Sequence, residues 1–425
     1  MKRRDFVGSS IAVAGGFTLL NRAVSAQDSA QLVFSTWGNP GEQELQKDFT
    51  KQISDAHDTF DVEYRGIPTD YSTKILTQLN GGTAPDMFYV DVPVMSTYVG
   101  NGSIQDLTPY LESDASVINP DDFAEGLWGT ARTEDGKIFG LPVDCNPYVL
   151  WYNQSLLEEV GIEKMPAQMF LDDEWTWEAF TDICQKLVDA GRTGYVLDAG
   201  WDDRYAWTSA NGATPYTDGK YTGHEDEKFV EAIKFQVDNV RNGLFSFSGV
   251  LPEGAGKDAL VQGGVAGFAA YGRWIAPQVR DLDAVFDIVP FPSNTGEKLN
   301  PHPIACAMIT MNAATEHPDE AFQFINDWVS SDGQTMRLAG PGNAVPSIEG
   351  AEDVVLNDEF PEHRQFLLDT RETGFVIYNE EAAVPGVMGE INANFEIMFV
   401  EDVDVQEQLN ELAGKVNTMI EEAGA

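Results

Sequence analysis

Hydrophobic residues along this chain recur at two spacings, and the spacing decides what each segment can become. Leu45, Phe49 and Ile53 return every fourth residue, which places them on one face of a helix predicted over Gly41–Asp55. A helical period also marks Trp177, Phe180, Ile183, Cys184 and Leu187, then Phe229, Ile233, Val237 and Val240. Pro318, suited to a first helical turn, opens a helix with Ala321, Phe322, Ile325 and Trp328 facing inward. Tyr71–Leu79 reads as a helix stopped by Gly81-Gly82, and Val405–Ile420 as a C-terminal helix. Between these lie short runs rich in β-branched and aromatic residues: Gln31–Trp37, Thr59–Ile67, Met87–Val90, Gly264–Tyr271, Phe286–Val289 and Ala305–Met311. Each predicts a strand. Strands alternating with amphipathic helices define the α/β class.

The segment from Gly140 to Ile162 carries the most information. Val149, Leu150, Trp151 and Tyr152 form a buried strand, and Asp144, Asn146 and Tyr148 precede it as a polar turn between two strands. The segment resembles the first inter-lobe crossover of the family 1 extracellular solute-binding proteins of carbohydrate ABC transporters, the maltose-binding-protein-like group. Further words match in the same order: Thr83-Ala84-Pro85-Asp86-Met87-Phe88-Tyr89-Val90-Asp91, Gly102-Ser103-Ile104-Gln105-Asp106-Leu107-Thr108-Pro109-Tyr110 and Thr176-Trp177-Glu178-Ala179-Phe180. Gly272-Arg273-Trp274, Phe286-Asp287-Ile288-Val289-Pro290-Phe291-Pro292, His317-Pro318-Asp319-Glu320-Ala321-Phe322 and Asn343-Ala344-Val345-Pro346 complete the set. The resemblance implies a two-lobe periplasmic-binding-protein fold, type II-like: open α/β sheets flanked by helices, joined by three crossovers, with the ligand between the lobes. It places residues 27–145 plus 303–348 in an N-terminal lobe and 146–302 plus 349–425 in a C-terminal lobe.

Composition narrows the partners. The formal charge of −43 repels nucleic acid and anionic membrane surfaces, so neither is expected as a partner. The acids are spread along the chain, as on a solvated surface suited to high salt, which points to a halophilic or marine source. Residues 1–26 read as an export leader: Arg3-Arg4-Asp5-Phe6-Val7 resembles a twin-arginine signal, and Val24-Ser25-Ala26 offers small residues for cleavage. The mature protein is therefore expected outside the cytoplasm, in the periplasm or at the cell exterior, as a monomer. Cys145, Cys184 and Cys306 match neither a metal motif nor a lipobox. Cys184 and Cys306 fit core positions, and a Cys145–Cys306 disulfide stays open.

A sugar needs polar groups for its hydroxyl rim and flat aromatic rings for its C–H faces. Candidates sit where strands end. Trp37 and Asn39 follow the first strand, with Glu42 just beyond, although Asn39 and Glu42 also suit a helix cap. Asp91 closes the Met87–Val90 strand, and the resemblance makes both it and Asn146 ligand-facing. Trp201 lies in Gly200-Trp201-Asp202-Asp203-Arg204, a loop-like setting, and Trp274 follows Gly272-Arg273. Arg273 could grip hydroxyls or form an inter-lobe salt bridge. His302 and Asn343 stand near the second and third crossovers. Trp207 is expected to support the site, and Trp175, Trp177 and Trp328 to pack in the core.

No Gly-x-Ser-x-Gly elbow, His-Glu-x-x-His helix or Walker loop occurs, so no catalytic residue, metal or cofactor is assigned. A glycosidase carboxylate pair among 69 acidic residues, or a binder of a charged or phosphorylated polyol, remains the alternative. The expected function is capture of a neutral mono- or oligosaccharide and its delivery to the permease subunits of an ABC importer.

Overall fold

The fold follows from where each amphipathic face is buried. A computed structural model describes residues 29–424 apart from 39, 253–255, 295 and 340–343. The predicted twin-arginine leader lies outside the described residues. Twelve strands occur among them: β1 (Ala30–Thr36), β2 (Phe60–Gly66), β3 (Met87–Asp91), β4 (Leu141–Pro147), β5 (Val149–Asn153), β6 (Thr193–Leu197), β7 (Tyr216–Thr217), β8 (Lys220–Tyr221), β9 (Phe245–Phe247), β10 (Ala266–Tyr271), β11 (Phe286–Val289) and β12 (Ile304–Met311). They form a five-stranded sheet of order β2-β1-β3-β12-β4, a second of order β11-β5-β10-β6-β9, and the hairpin β7-β8. In the first sheet β12 runs antiparallel to β3 and β4, while β1 is parallel to β2 and β3. Among the described residues no helix is long and apolar enough to cross a membrane.

The helical stripes bury as their spacing predicts, with informative exceptions. Trp177, Phe180, Ile183, Cys184 and Leu187 are all buried on the Trp177–Asp189 helix, and Ala321, Phe322, Ile325 and Trp328 on the Pro318–Val329 helix. Val240 is only half-buried, because the Glu227–Arg241 helix turns that position off its packed face. Leu45 is 56% exposed, whereas Phe49, Thr50, Ile53 and Ser54 of the Pro40–Ala56 helix are buried. The first two turns of that helix carry Glu42, Leu45 and Gln46 to the cleft that opens beyond the end of β1.

The crossovers connect the sheets. Asp144 and Asn146 lie within β4 itself, not in a turn, and the single residue Tyr148 separates β4 in the first sheet from β5 in the second. The second passage runs from β11 to β12. Beyond Val345, which pairs with Cys145, the chain weaves between the two bodies. Asp358 meets Arg273 of the second body, while Phe375 donates to His302 O and Val376 to Gly126 O of the first. Residues 349–425 therefore pack on both sheets. Cys145 and Cys306 stand opposite one another in the β4–β12 register, and all three cysteines are unpaired thiols buried in the core.

Candidate functional site

The ends of β1, β3 and β4 and the start of β12 line a cleft of ≈ 360 Å³, closed on its far side by Trp274 of the second body. This is the position open α/β sheets offer a ligand, beyond the carboxyl ends of their strands. The volume falls in the range of small-molecule sites. Trp37 stands edge-on to Tyr71 (5.2 Å, 80°) and Tyr89 (5.3 Å, 71°), which fixes its ring plane at the cleft wall. Gly38 carries φ +140°, and a Cβ there would lie 3.1 Å from Glu42, so glycine lets the chain turn and brings Glu42 beside Trp37. Gln46, one helical turn on, accepts from Tyr64 Oη at 2.9 Å.

Across the cleft, Asn146 Oδ1 accepts the Arg273 N–H at 2.9 Å, which ties β4 to the turn Arg273–Ile275. A Cβ at Gly272 would stand 2.5 Å from Asn146 Cβ and 2.2 Å from the Trp274 ring. Only a residue without a side chain permits that approach. Trp274 is half-buried, tilted over Tyr148 at 5.6 Å, and faces the cleft.

The electrostatics are acidic. Asp91 opens to the cleft at the end of β3, yet the surrounding protein desolvates its carboxyl and raises its pKa to about 6; the Val92 N–H opposes the shift and the charge of Asp202 adds to it. Asp202 comes from the second body. Burial raises its pKa too, against the counter-pull of Lys257 and a hydrogen bond from the Tyr148 hydroxyl. Lys257 itself is buried, pairing with Asp198 at 2.7 Å. Arg337 supplies the positive charge among the described lining residues, and it is committed: Nη1 meets Asp144 Oδ2 at 2.6 Å and Nη2 donates to Val143 O.

The cleft thus brings together Trp37, Glu42, Asp91, Asn146 and Trp274 of the sequence candidates. Arg273 is placed elsewhere. Its side chain is fully buried, with Nη1 on Ala344 O at 2.8 Å and Nη2 on Asp358 Oδ2 at 2.6 Å, so the guanidinium forms a buried salt bridge with Asp358 instead of reaching the cleft. His302 is also withdrawn: Nδ1 lies 2.6 Å from Asn300 O, Nε2 accepts the Phe291 N–H at 3.1 Å, and burial lowers its pKa to about 4. Trp201 is the first residue of the helix Trp201–Ala210, not a loop residue, and lies outside the cleft lining; Asp202 and Asp203 in that first turn favour a helix N-terminus. Asn39 and Asn343 lie outside the described residues. Trp207 is fully buried, as are Trp175, Trp177 and Trp328 to within a few per cent.

Arg337, Gln46 and Tyr89 line the cleft although the sequence did not point to them, and Asp144, read only as part of the polar turn before Asn146, lines it too. Asp144 and Tyr89 sit in recognisable strands, whereas Arg337 has no local signal, because its partners are remote in sequence. Among the described residues Asp287, Glu362 and His363 could offer ligand atoms to a metal. They lie away from the cleft, and two of them pair with each other: His363 Nδ1 is 2.5 Å from Asp287 Oδ2, and the Tyr152 hydroxyl donates to the same oxygen at 3.0 Å.

Comparison with known proteins agrees with this geometry. The family profile described as bacterial extracellular solute-binding protein matches residues 44–366. Curated relatives include the osmoprotective compounds-binding protein GgtB of Synechocystis, 21% identical over 49% of this chain and 46% of its own length. The arabinooligosaccharide-binding protein of Halalkalibacterium halodurans is 21% identical over 40% of this chain and 36% of its own. The matched stretches thus span less than half of these relatives. An ABC substrate-binding protein of Listeria monocytogenes in complex with cycloalternan superposes with a TM-score of 0.79 at 19% identity, covering 93% of this chain and 100% of that one. The sugar-binding protein MalE of Xanthomonas citri gives 0.76 at 17% identity over 92% and 98%. UgpB of Mycobacterium tuberculosis in complex with glycerophosphocholine gives 0.76 at 16% over 93% and 100%. By its profile match and its two-sheet architecture, the chain belongs to the bacterial extracellular solute-binding proteins and has the two-lobe fold of the maltose-type members that serve ABC transporters.

Proposed function

We propose that the protein captures a neutral mono- or oligosaccharide between its lobes and hands it, unaltered, to the permease subunits of an ABC importer. The observation that carries this reading is the pairing of flat rings with carboxylates and amides. Trp37 and Trp274 stand at opposite sides of the cleft, and Glu42, Asp91 and Asn146 lie among the lining residues between them. Rings cover C–H faces, and acceptors take hydroxyl protons. A phosphorylated ligand is disfavoured because Arg337 is already bound to Asp144 and further acids line the same space. Relatives whose names specify oligosaccharides or osmoprotective compounds, and a neighbour complexed with cycloalternan, support the ligand class. The same reading places the protein outside the cytoplasm after twin-arginine export, acting as a monomer that closes its lobes on the ligand.

Isothermal titration against a panel of sugars, followed by chromatography of the recovered ligand, tests the reading. Saturable binding with the sugar returned intact is expected. Hydrolysis products forming at an enzymatic rate would replace it with a carbohydrate-active enzyme, and binding confined to phosphorylated polyols would replace the ligand class.

A further inference from the structure

Two helices start on the two bodies, one directly after a residue of the cleft lining and one outside that lining. Val92–Gly100 starts immediately after Asp91, and Trp201–Ala210 starts with Trp201 and Asp202. The first belongs to the body built on β1–β3 and the second to the other. A short helix, Asn379–Ala383, touches both. On one side Ser96 Oγ donates to Ala382 O, and Val376, three residues before the short helix, lies with Val92 against Gly129, where a Cβ would stand 2.8 Å from Val376 Cγ2 and 2.9 Å from Val92 Cγ1. On the other side Glu381 is 3% exposed and accepts hydrogen bonds from Tyr205 Oη and, at 3.2 Å, from Tyr216 Oη. Tyr205 is the fifth residue of the Trp201–Ala210 helix, and its ring is clamped edge-on by Tyr378 at 5.1 Å and 87°.

A carboxylate taken out of water is costly unless donors surround it. Glu381 has two phenols, and the buried Arg204 lies in the same pocket, stacked 4.7 Å over Tyr205 and 4.6 Å over Phe395. Apolar residues of similar size would fill this space with less desolvation. What the carboxylate adds is direction: its bonds set how the Trp201–Ala210 helix lies against the short helix, and therefore against the Val92–Gly100 helix.

We propose that Glu381 is a positioning residue, the polar joint of a strut that holds the start of the Trp201–Ala210 helix in register, across the lobes, with the helix that starts at Asp91 of the cleft. This rests on the proposed function only in supposing that the cleft binds a carbohydrate. Glu381 touches no ligand. It acts through Tyr205 and Tyr216 on one body and, through its own helix, on the other.

The test reads ligand affinity and lobe geometry separately. Spin labels at Val117→Cys and Val250→Cys, 71% and 57% exposed in the parent chain and located one on each body, report the inter-lobe distance distribution. Glu381→Ala is expected to broaden that distribution in the unliganded protein and to weaken the affinity for the best-binding sugar by about ten- to a hundredfold, chiefly through faster release. Glu381→Gln, which keeps an acceptor for both phenols, is expected to recover a narrow distribution and most of the affinity. Should Glu381→Ala not fold, Tyr216→Phe, which removes one donor, is expected to shift both readouts in the same direction by less. A lowered melting temperature with parental affinity and an unchanged distance distribution would make Glu381 merely structural and overturn the proposal. If no sugar binds even the parent chain, the proposed function fails, while the unliganded distance distributions still decide the strut.

Discussion

Trp274→Ala isolates what the far wall of the cleft contributes. The indole leans on Tyr148 at 5.6 Å and Tyr271 at 6.5 Å, in space that the missing side chain of Gly272 leaves open, where a Cβ would come within 2.2 Å of the ring. Its orientation is therefore set before a ligand arrives. A sugar face laid on the ring would remove about 80 Å² of apolar surface from water, counting both partners, and at ~25 cal/mol/Å² that amounts to about 2 kcal/mol. The truncation should then weaken sugar binding by roughly thirtyfold. The ring is only partly buried, so the melting temperature should fall less than for a core tryptophan. Trp207 serves as the control: it is fully buried among Phe180, Phe235, Phe245 and Phe291, and Trp207→Ala should cost on the order of 3–5 kcal/mol of stability. Titration calorimetry alongside differential scanning calorimetry measures both quantities. Parental affinity in Trp274→Ala, together with a steep loss of melting temperature, would refute the stacking argument and return Trp274 to the core.

Arg273→Ala should behave in the opposite sense. It strands Ala344 O and removes one of the two guanidinium partners of Asp358, so unfolding free energy should drop by about 3 kcal/mol while the affinity of the folded fraction falls less than in Trp274→Ala. Sugar binding should tighten as the pH rises from 5 to 7 and level off above the Asp91 pKa of about 6. The sign follows because the ionised carboxyl accepts more hydroxyl protons than the acid does, so a bound sugar lowers that pKa and releases a proton. Calorimetry in buffers of different ionisation enthalpy detects the release, and Asp91→Asn should abolish it. With a formal charge of −43, self-repulsion should make the melting temperature climb from low to molar salt while affinity for a neutral sugar stays nearly constant; a steep salt dependence of affinity at constant foldedness would argue for a charged ligand.

The elements were legible because their signals are local. The Trp177–Asp189 stripe and the opening of a helix at Pro318 need nothing beyond their own spacing, and both formed where expected. Leu45 shows the limit of that logic. Periodicity marks which face of a helix is apolar but not how far the neighbouring sheet extends, so Leu45, on that face, lines the cleft that opens beyond the end of β1. Trp201 shows another limit. Large apolar rings beside glycine and aspartate look like a loop, yet Gly200 followed by two acids in the next turn is also how a helix starts when its dipole is to be complemented.

The candidate site was legible in proportion to how local its constraints are. Trp37 and Trp274 both stand beside a glycine that the structure requires, Gly38 for its φ of +140° and Gly272 for its contact with Asn146, and both rings line the cleft. Arginines behave otherwise, because a guanidinium goes wherever its charge and its donors can be matched. The partners of Arg273 lie 71 and 85 residues away, and the carboxylate that holds Arg337 lies 193 residues away. No window of the chain contains both halves of either pair. Arg273 sits in a word that looks ligand-facing and is drawn into the interior, while Arg337 sits in an unremarkable helix and reaches the cleft. The consequence is specific to the ligand: with Arg337 neutralised by Asp144 and Arg273 withdrawn, the lining is left with acceptors and rings, which suits hydroxyl donors and leaves an anionic substituent without a counter-charge.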